Sequence, residues 1–100
     1  MHTILLIQAH PTKLETRTWD EYDTIADAVE AIINKYEQRL KQLNPEVRNI
    51  HYDVADLIKY IDTYGEIACL VLNSTGVYEP HNRDWFKQKV HTHLRKLAGR

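Results

Sequence analysis

The residues of this chain that could do chemistry are six histidines, one cysteine, and Thr18 and Thr24 with the acids that follow them. His91 and His93 are two apart, a spacing that turns them to different faces of a helix. Zinc sites favour convergent spacing such as i, i+4 or paired cysteines. His2 and His51 fall in segments that read as strands and could meet across them, but no third ligand accompanies them. No metal site is expected. Cys69 lies inside the apolar run 67–72, where a buried structural thiol is the expectation. A nucleophilic thiol needs an accessible, electropositive setting. There is no glycine-rich phosphate loop, no G-x-S-x-G and no carboxylate pair with a plausible pocket. Asp53 and Asp56 read as a helix cap and first-turn charge. The expectation is a chain that is not an enzyme and needs no cofactor.

Thr18 and Thr24 are each followed three residues later by an acid, Glu21 and Asp27. Acidophilic kinases favour that pattern, so both are candidate phosphorylation sites. Thr18-Trp19-Asp20-Glu21 also reads as a capping box, with Thr18 accepting from a backbone N–H and Glu21 reaching back. The capping box is the preferred reading of Thr18. A phosphate there would suit the helix dipole and crowd Glu21.

The elements that must position these residues follow from hydrophobic period. The segment 2–8 reads as a strand that is apolar on both faces. Side chains alternate across a strand, so Leu5 and Ile7 point one way and Ile4 and Leu6 the other. The run 67–72 repeats this, with Ile67, Cys69 and Val71 opposite Ala68, Leu70 and Leu72. The segment 9–17, with Pro11, reads as a loop. A long helix is predicted from the Thr18 cap to Asn44-Pro45. Its stripe is Tyr22, Ile25, Ala26, Val29, Ile32, Ile33, Tyr36, Leu40 and Leu43, at spacings of three and four. Residues 49–52 read as a short strand. Asp53 caps a short helix carrying Val54, Leu57, Ile58 and Ile61 that ends before Gly65. A strand over 66–72 leads through the turn 73–76 to a hairpin partner at Val77-Tyr78, stopped by Pro80. Asn82 caps a last helix with Trp85, Phe86, Val90, Leu94 and Leu97. The predicted order is β-α-β-α-β-β-α, in one domain over 1–100.

A sheet with two apolar faces must be covered twice. Three helices packed on one face leave the other to a second molecule, so the residues alone point to a dimer.

Composition narrows the classes. One hundred residues with 43% hydrophobic content suit a single domain with a modest core. No apolar run is long enough to span a membrane, and no basic leader precedes the first apolar stretch. A single cysteine cannot form an internal disulfide. These features suggest a cytosolic or nuclear setting. The net charge of −1 is uneven. Residues 82–100 carry Arg83, Lys87, Lys89, Arg95, Lys96 and Arg100 against Asp84 alone. Such a tail can attract nucleic acid or an acidic peptide. The preferred reading is a solvated face with cations near the helix C-terminus, where they suit the dipole.

An ordered set of short blocks resembles the enhancer of rudimentary family. The blocks are His2-Thr3-Ile4-Leu5-Leu6-Ile7-Gln8, Arg17-Thr18-Trp19 with Tyr22, Lys35-Tyr36-Glu37, Asn44-Pro45, and Ile50 with Tyr52-Asp53. Then come Ile61-Asp62, Cys69-Leu70-Val71, Tyr78 with Pro80, and Asn82-Arg83-Asp84-Trp85-Phe86-Lys87. The loop Ala9–Thr16, the turn Asn73–Gly76, His51 and His81 depart from that pattern. The resemblance implies an α+β fold: a four-stranded antiparallel sheet with three helices on one face and the other face forming a homodimer. Ile4, Leu6 and His2 are then the dimer-interface residues. The implied protein is a nuclear, non-catalytic adaptor. It would hold short segments of RNA-binding or RNA-processing proteins in complexes for RNA processing, RNA decay or small-RNA biogenesis. Trp19 and Tyr22, large aromatics at the predicted helix entrance, are candidate partner-binding anchors, the alternative being that both rings cap the core. The alternatives are a direct nucleic-acid-binding module using the basic last helix, and a small enzyme. Strands of Ile, Leu and Val lack the exposed aromatics of an RNA-stacking platform, so direct RNA binding is expected to be weak or absent.

Overall fold

Two strands that are apolar on both sides form the centre of the sheet. The computed structural model describes residues 2–48 and 51–98. Strand β1 (Thr3–Gln8) pairs antiparallel with β2 (Arg17–Tyr22) on one side and with β3 (Glu66–Leu72) on the other. Strand β4 (Tyr78–His81) closes the order β2-β1-β3-β4, antiparallel throughout. Three helices follow the chain: α1 (Ile25–Leu43), α2 (Val54–Asp62) and α3 (Arg83–Ala98). A 3-10 turn over Leu14–Thr16 precedes β2. The order is therefore β-η-β-α-α-β-β-α.

All three helices pack on one sheet face. Leu5, Ile7, Ile67, Cys69 and Val71 form one core cluster with Val29, Ile32, Ile33 and Tyr36 of α1, Leu57 and Ile61 of α2, and Phe86 and Val90 of α3. The α+β class and the four-stranded antiparallel sheet match the sequence reading. Two element assignments do not. Thr18 caps no helix: residues 17–22 are a strand, and α1 begins at Ile25 with Thr24 as its cap, its hydroxyl accepting from Asp27 N–H at 3.1 Å. Strand β2 lies at the edge of the sheet and its side chains are exposed or half-buried, so no apolar alternation marks it. The predicted strand at 49–52 is also corrected. Asn49 and Ile50 lie outside the described residues, and His51 and Tyr52 belong to no strand.

The other ends follow local chemistry. Asp53 and Asp56 form a reciprocal capping box at α2, and Asn82 Oδ1 accepts from Trp85 N–H at 3.0 Å at the start of α3. Pro80 does not stop β4 but sits within it, tolerated because β4 is an edge strand. Gly76, at φ 85°, turns the hairpin around Asn73, whose side-chain oxygen accepts from the N–H groups of Thr75 and Val77 at 2.9 and 3.0 Å.

Helix α3 is fastened at both ends of its exposed side. Asp62 of α2 pairs with Lys87 and, at 3.8 Å, with Arg83. Arg83 also donates to the Tyr64 carbonyl at 2.7 Å. His93 bonds Glu30 of α1. Part of the basic helix thus holds the fold together, and Lys89 lies over the Trp85 ring at 5.1 Å.

Gly65 is a glycine for reasons of space rather than backbone sign, because its φ is not positive. Its N–H donates to the Gln8 carbonyl at 2.7 Å, and an added Cβ would stand 2.6 Å from the Pro11 Cα. The loop after β1 can lie against the start of β3 only if residue 65 has no side chain. Gly65→Ala should lower stability by about 1–3 kcal/mol, the usual cost of overpacking. A fall in the urea midpoint with an unchanged slope checks this.

Candidate functional site

The face of the sheet away from the helices is apolar and uncovered. Residues directly opposite in an antiparallel pair share a face. Leu6 stands between Trp19 and Ala68, and Ile4 between Glu21 and Leu70. Leu70 is opposite Pro80, and Leu72 opposite Tyr78. The centre of this face is therefore Ile4, Leu6, Ala68, Leu70 and Leu72, each only half-buried, with Trp19 62% exposed at one side and Tyr78 38% exposed at the other.

Polar groups rim it. His2 Nε2 meets Glu21 at 2.8 Å, and the His2 ring meets Tyr78 edge-on with centroids 6.0 Å apart. At the opposite end, Arg17 Nε donates to Gln8 Oε1 at 2.7 Å, while the Gln8 amide donates to the carbonyls of His10 and Pro11 at 2.9 and 3.1 Å. A cavity of about 460 Å3 opens there, walled by Leu6, Gln8, Arg17, Trp19, Glu66 and Ala68.

The structure groups Ile4, Leu6 and His2 on this face. It separates the two aromatics expected to act together. Trp19 and Tyr22 lie on opposite faces of β2, not at a helix entrance: Trp19 stands beside Leu6, while Tyr22 packs against the helix-side core. Thr18 also faces the helix side, exposed on the edge strand, and the Thr24 hydroxyl is engaged as the α1 cap. Gln8, Arg17, Pro80 and Tyr78 join the outer face, a role assigned to none of them from the sequence. Strand register alone reveals it.

The remaining reactive groups are dispersed. His81 stacks on Trp85 with centroids 3.9 Å apart, and His10 accepts from Thr12 N–H at 3.3 Å within its loop. Among the described residues, no three His, Cys, Asp or Glu side chains converge as metal ligands. Cys69 is fully buried on the helix side of β3, and burial pushes its thiol up to about 12. Burial, then the Tyr60 hydroxyl hydrogen-bonded at 2.8 Å, pushes Tyr64 up, and Arg39 alone pulls it down. Burial, and then the hydrogen bond to Glu37, raises Tyr52.

A helix-backed antiparallel sheet with a bare, apolar second face places the chain among small two-layer α+β proteins. The family model described as "Enhancer of rudimentary" matches residues 1–100. The chain is 45% identical over 98 residues to the enhancer of rudimentary homolog of Dictyostelium discoideum, covering 97% of each chain. It is 44% identical over 99 residues to the homolog of Arabidopsis thaliana, covering 98% of this chain and 90% of the relative. It is 41% identical over 99 residues to that of Echinococcus multilocularis, covering 98% and 97%. The chain belongs to the enhancer of rudimentary family.

The shifted groups set a pH limit. The thiol ionises near 9.0 and the phenols near 10.0 in an unfolded chain, and the fold raises Cys69, Tyr36, Tyr52 and Tyr64 above those values. The folded state then keeps protons that the unfolded chain releases. Stability is full below pH 9 and declines as pH climbs from there toward 12. Urea midpoints between pH 7 and 11 should be level and then fall, and Cys69→Ala should move the start of the fall from about 9 toward 10.

Proposed function

We propose that this chain is a non-catalytic homodimeric adaptor that pairs through its bare sheet face and holds short segments of RNA-binding or RNA-processing proteins. The observation that carries the dimer is surface. The isolated chain exposes 6910 Å2, whereas a monomer of this mass is expected to expose roughly 5,900 Å2. The excess, about 1,000 Å2, is close to the ~800 Å2 that each partner buries in a standard interface. It has an evident location, because the subunit is a two-layer slab only 19 Å thick along its shortest axis, with the apolar residues of one layer facing outward.

Membership of the enhancer of rudimentary family is what supports the adaptor role. Two-fold pairing gives each dimer two equivalent partner sites, so two partner segments are held together and avidity adds to affinity. The same reading places the protein in the nucleus, where complexes for RNA processing, RNA decay or small-RNA biogenesis form. Direct RNA binding is disfavoured by the pairing of Arg83 and Lys87 with Asp62 and of Lys89 with Trp85.

Light scattering should give a mass about twice 11.8 kDa for the native chain. Ile4→Arg with Leu6→Arg should give monomer or aggregate, because two buried unpaired charges in each subunit are costly. An intact dimer of that variant removes the assignment of the face. Any RNA affinity of the purified protein should be weak and fade between 50 and 200 mM salt. Tight, sequence-selective binding that survives high salt would replace the adaptor by a nucleic-acid-binding module.

A further inference from the structure

On the helix side of β2 lies a second cavity, of about 400 Å3, between the edge strand, α1 and the end of α2. Its character is unlike that of the outer face. Lys35 and Arg39, one turn apart on α1, line it together with the hydroxyl-bearing residues Thr18, Tyr60 and Tyr64 and with Ile7. No carboxylate lines it. Neither cation has an acid three or four residues away on the helix, and neither takes part in an ion pair among the described residues. Asp20 shares the inner face of β2 with Thr18, two residues along, but does not border the cavity.

Like charges at i and i+4 cost a helix stability. Here the pair converges on a pocket without a counter-charge. The neighbouring hydroxyls can donate as well. The Tyr60–Tyr64 contact uses one of their two hydroxyl protons and leaves the other. Two permanent cations with several neutral donors match a group with three acceptor oxygens and close to two negative charges, which a phosphate monoester carries at neutral pH. A carboxylate offers one charge and two oxygens and uses less of the site.

We propose that this pocket binds the phosphate monoester of a phosphorylated Ser or Thr side chain on a partner segment. The occupant is a side chain rather than a free ion because of the strand beside it. Strand β2 has a neighbour on one side only. An extended segment added along its open edge places alternate side chains on the helix side, at the level of Thr18, within reach of the two cations. The site adjoins the outer-face cavity, with which it shares Ile7 and Thr18, but its two cations stand on α1, on the helix side of the sheet. The inference rests on the reading of this chain as a holder of partner segments, and deepens it by naming the chemistry of one contact.

The test uses the full chain, isotope-labelled, and a ten-residue Gly/Ser/Val peptide carrying one phosphoserine. The controls are its unphosphorylated counterpart, its Ser→Glu counterpart and inorganic phosphate. NMR titration should move the amides of β2 and the signals of Lys35 and Arg39 with the phosphopeptide. The unphosphorylated peptide should bind at least tenfold more weakly, with Ser→Glu between the two. Affinity should rise as pH climbs through about 6, where the phosphate gains its second charge. Lys35→Ala with Arg39→Ala should reduce affinity tenfold or more. Lys41→Ala, on the same helix but outside the pocket, should leave it unchanged. Equal binding of the unphosphorylated peptide overturns the proposal, as does an equal loss in Lys41→Ala. Inorganic phosphate binding as tightly as the phosphopeptide overturns the assignment to a side chain. Light scattering on the same samples reads the dimer separately, so a monomeric native chain that still binds the phosphopeptide refutes the dimer and leaves the pocket standing.

Discussion

The structure depends on one constraint: its two central strands are apolar on both sides, and the chain has only enough helix to cover one. Leu5, Ile7, Ile67, Cys69 and Val71 are buried under α1, α2 and α3. Ile4, Leu6, Ala68, Leu70 and Leu72 are left half-buried on the other side. Sheet and helices together make a slab two layers thick, with one apolar sheet face left bare. That bare face is the surface on which the proposed pairing rests.

The polar residues serve that arrangement. His2, Glu21, Arg17 and Gln8 stand at the margins of the bare face, where they remain hydrated or hydrogen-bonded. The ion pairs of α3 with α2 and α1 keep the helical layer in register over the core. Each exposed pair contributes little, on the order of 0–1 kcal/mol; their value is in directing which helix faces meet. Hydrophobic burial by Phe86 and Val90, both fully enclosed, holds α3 down. The edge strands are treated differently at the two ends of the sheet. β4 carries a proline, and β2 carries charge and an exposed tryptophan, so β4 is closed to further pairing while β2 keeps an accessible edge.

How far the sequence was legible differs by element. The pattern at β1 and β3 was readable because alternation is apolar on both sides and short turns bound each run. Helices α1, α2 and α3 were readable from their stripes, down to Asp53 and Asn82 as caps. The failure was at 17–22. Thr18 and Glu21 stand at capping-box spacing and an amphipathic stripe follows, so local chemistry supports a helix start. The segment becomes a strand because the free edge of β1 supplies hydrogen-bond partners over its whole length, a tertiary interaction with no local signal. The true cap, Thr24, has an acid at the same spacing and lies six residues later. The same shift moved Trp19 to the outer face and left Tyr22 on the inner one.

The sequence by itself determined that there would be a two-faced sheet, helices enough for one face, and a family whose ordered blocks run the length of the chain. Periodicity encodes these, because the side-chain direction of each strand and helix follows from its own residues. It did not determine which polar segment would complete the sheet, nor that Lys35 and Arg39 would converge with Thr18, Tyr60 and Tyr64 around one cavity. Those residues come from three separate stretches of chain. Only the antiparallel register of β1 with β2, and the packing of α1 and α2 across the sheet, bring them together. Strand pairing and helix docking are long-range events, settled by backbone hydrogen bonds and core burial that no local stretch of sequence contains.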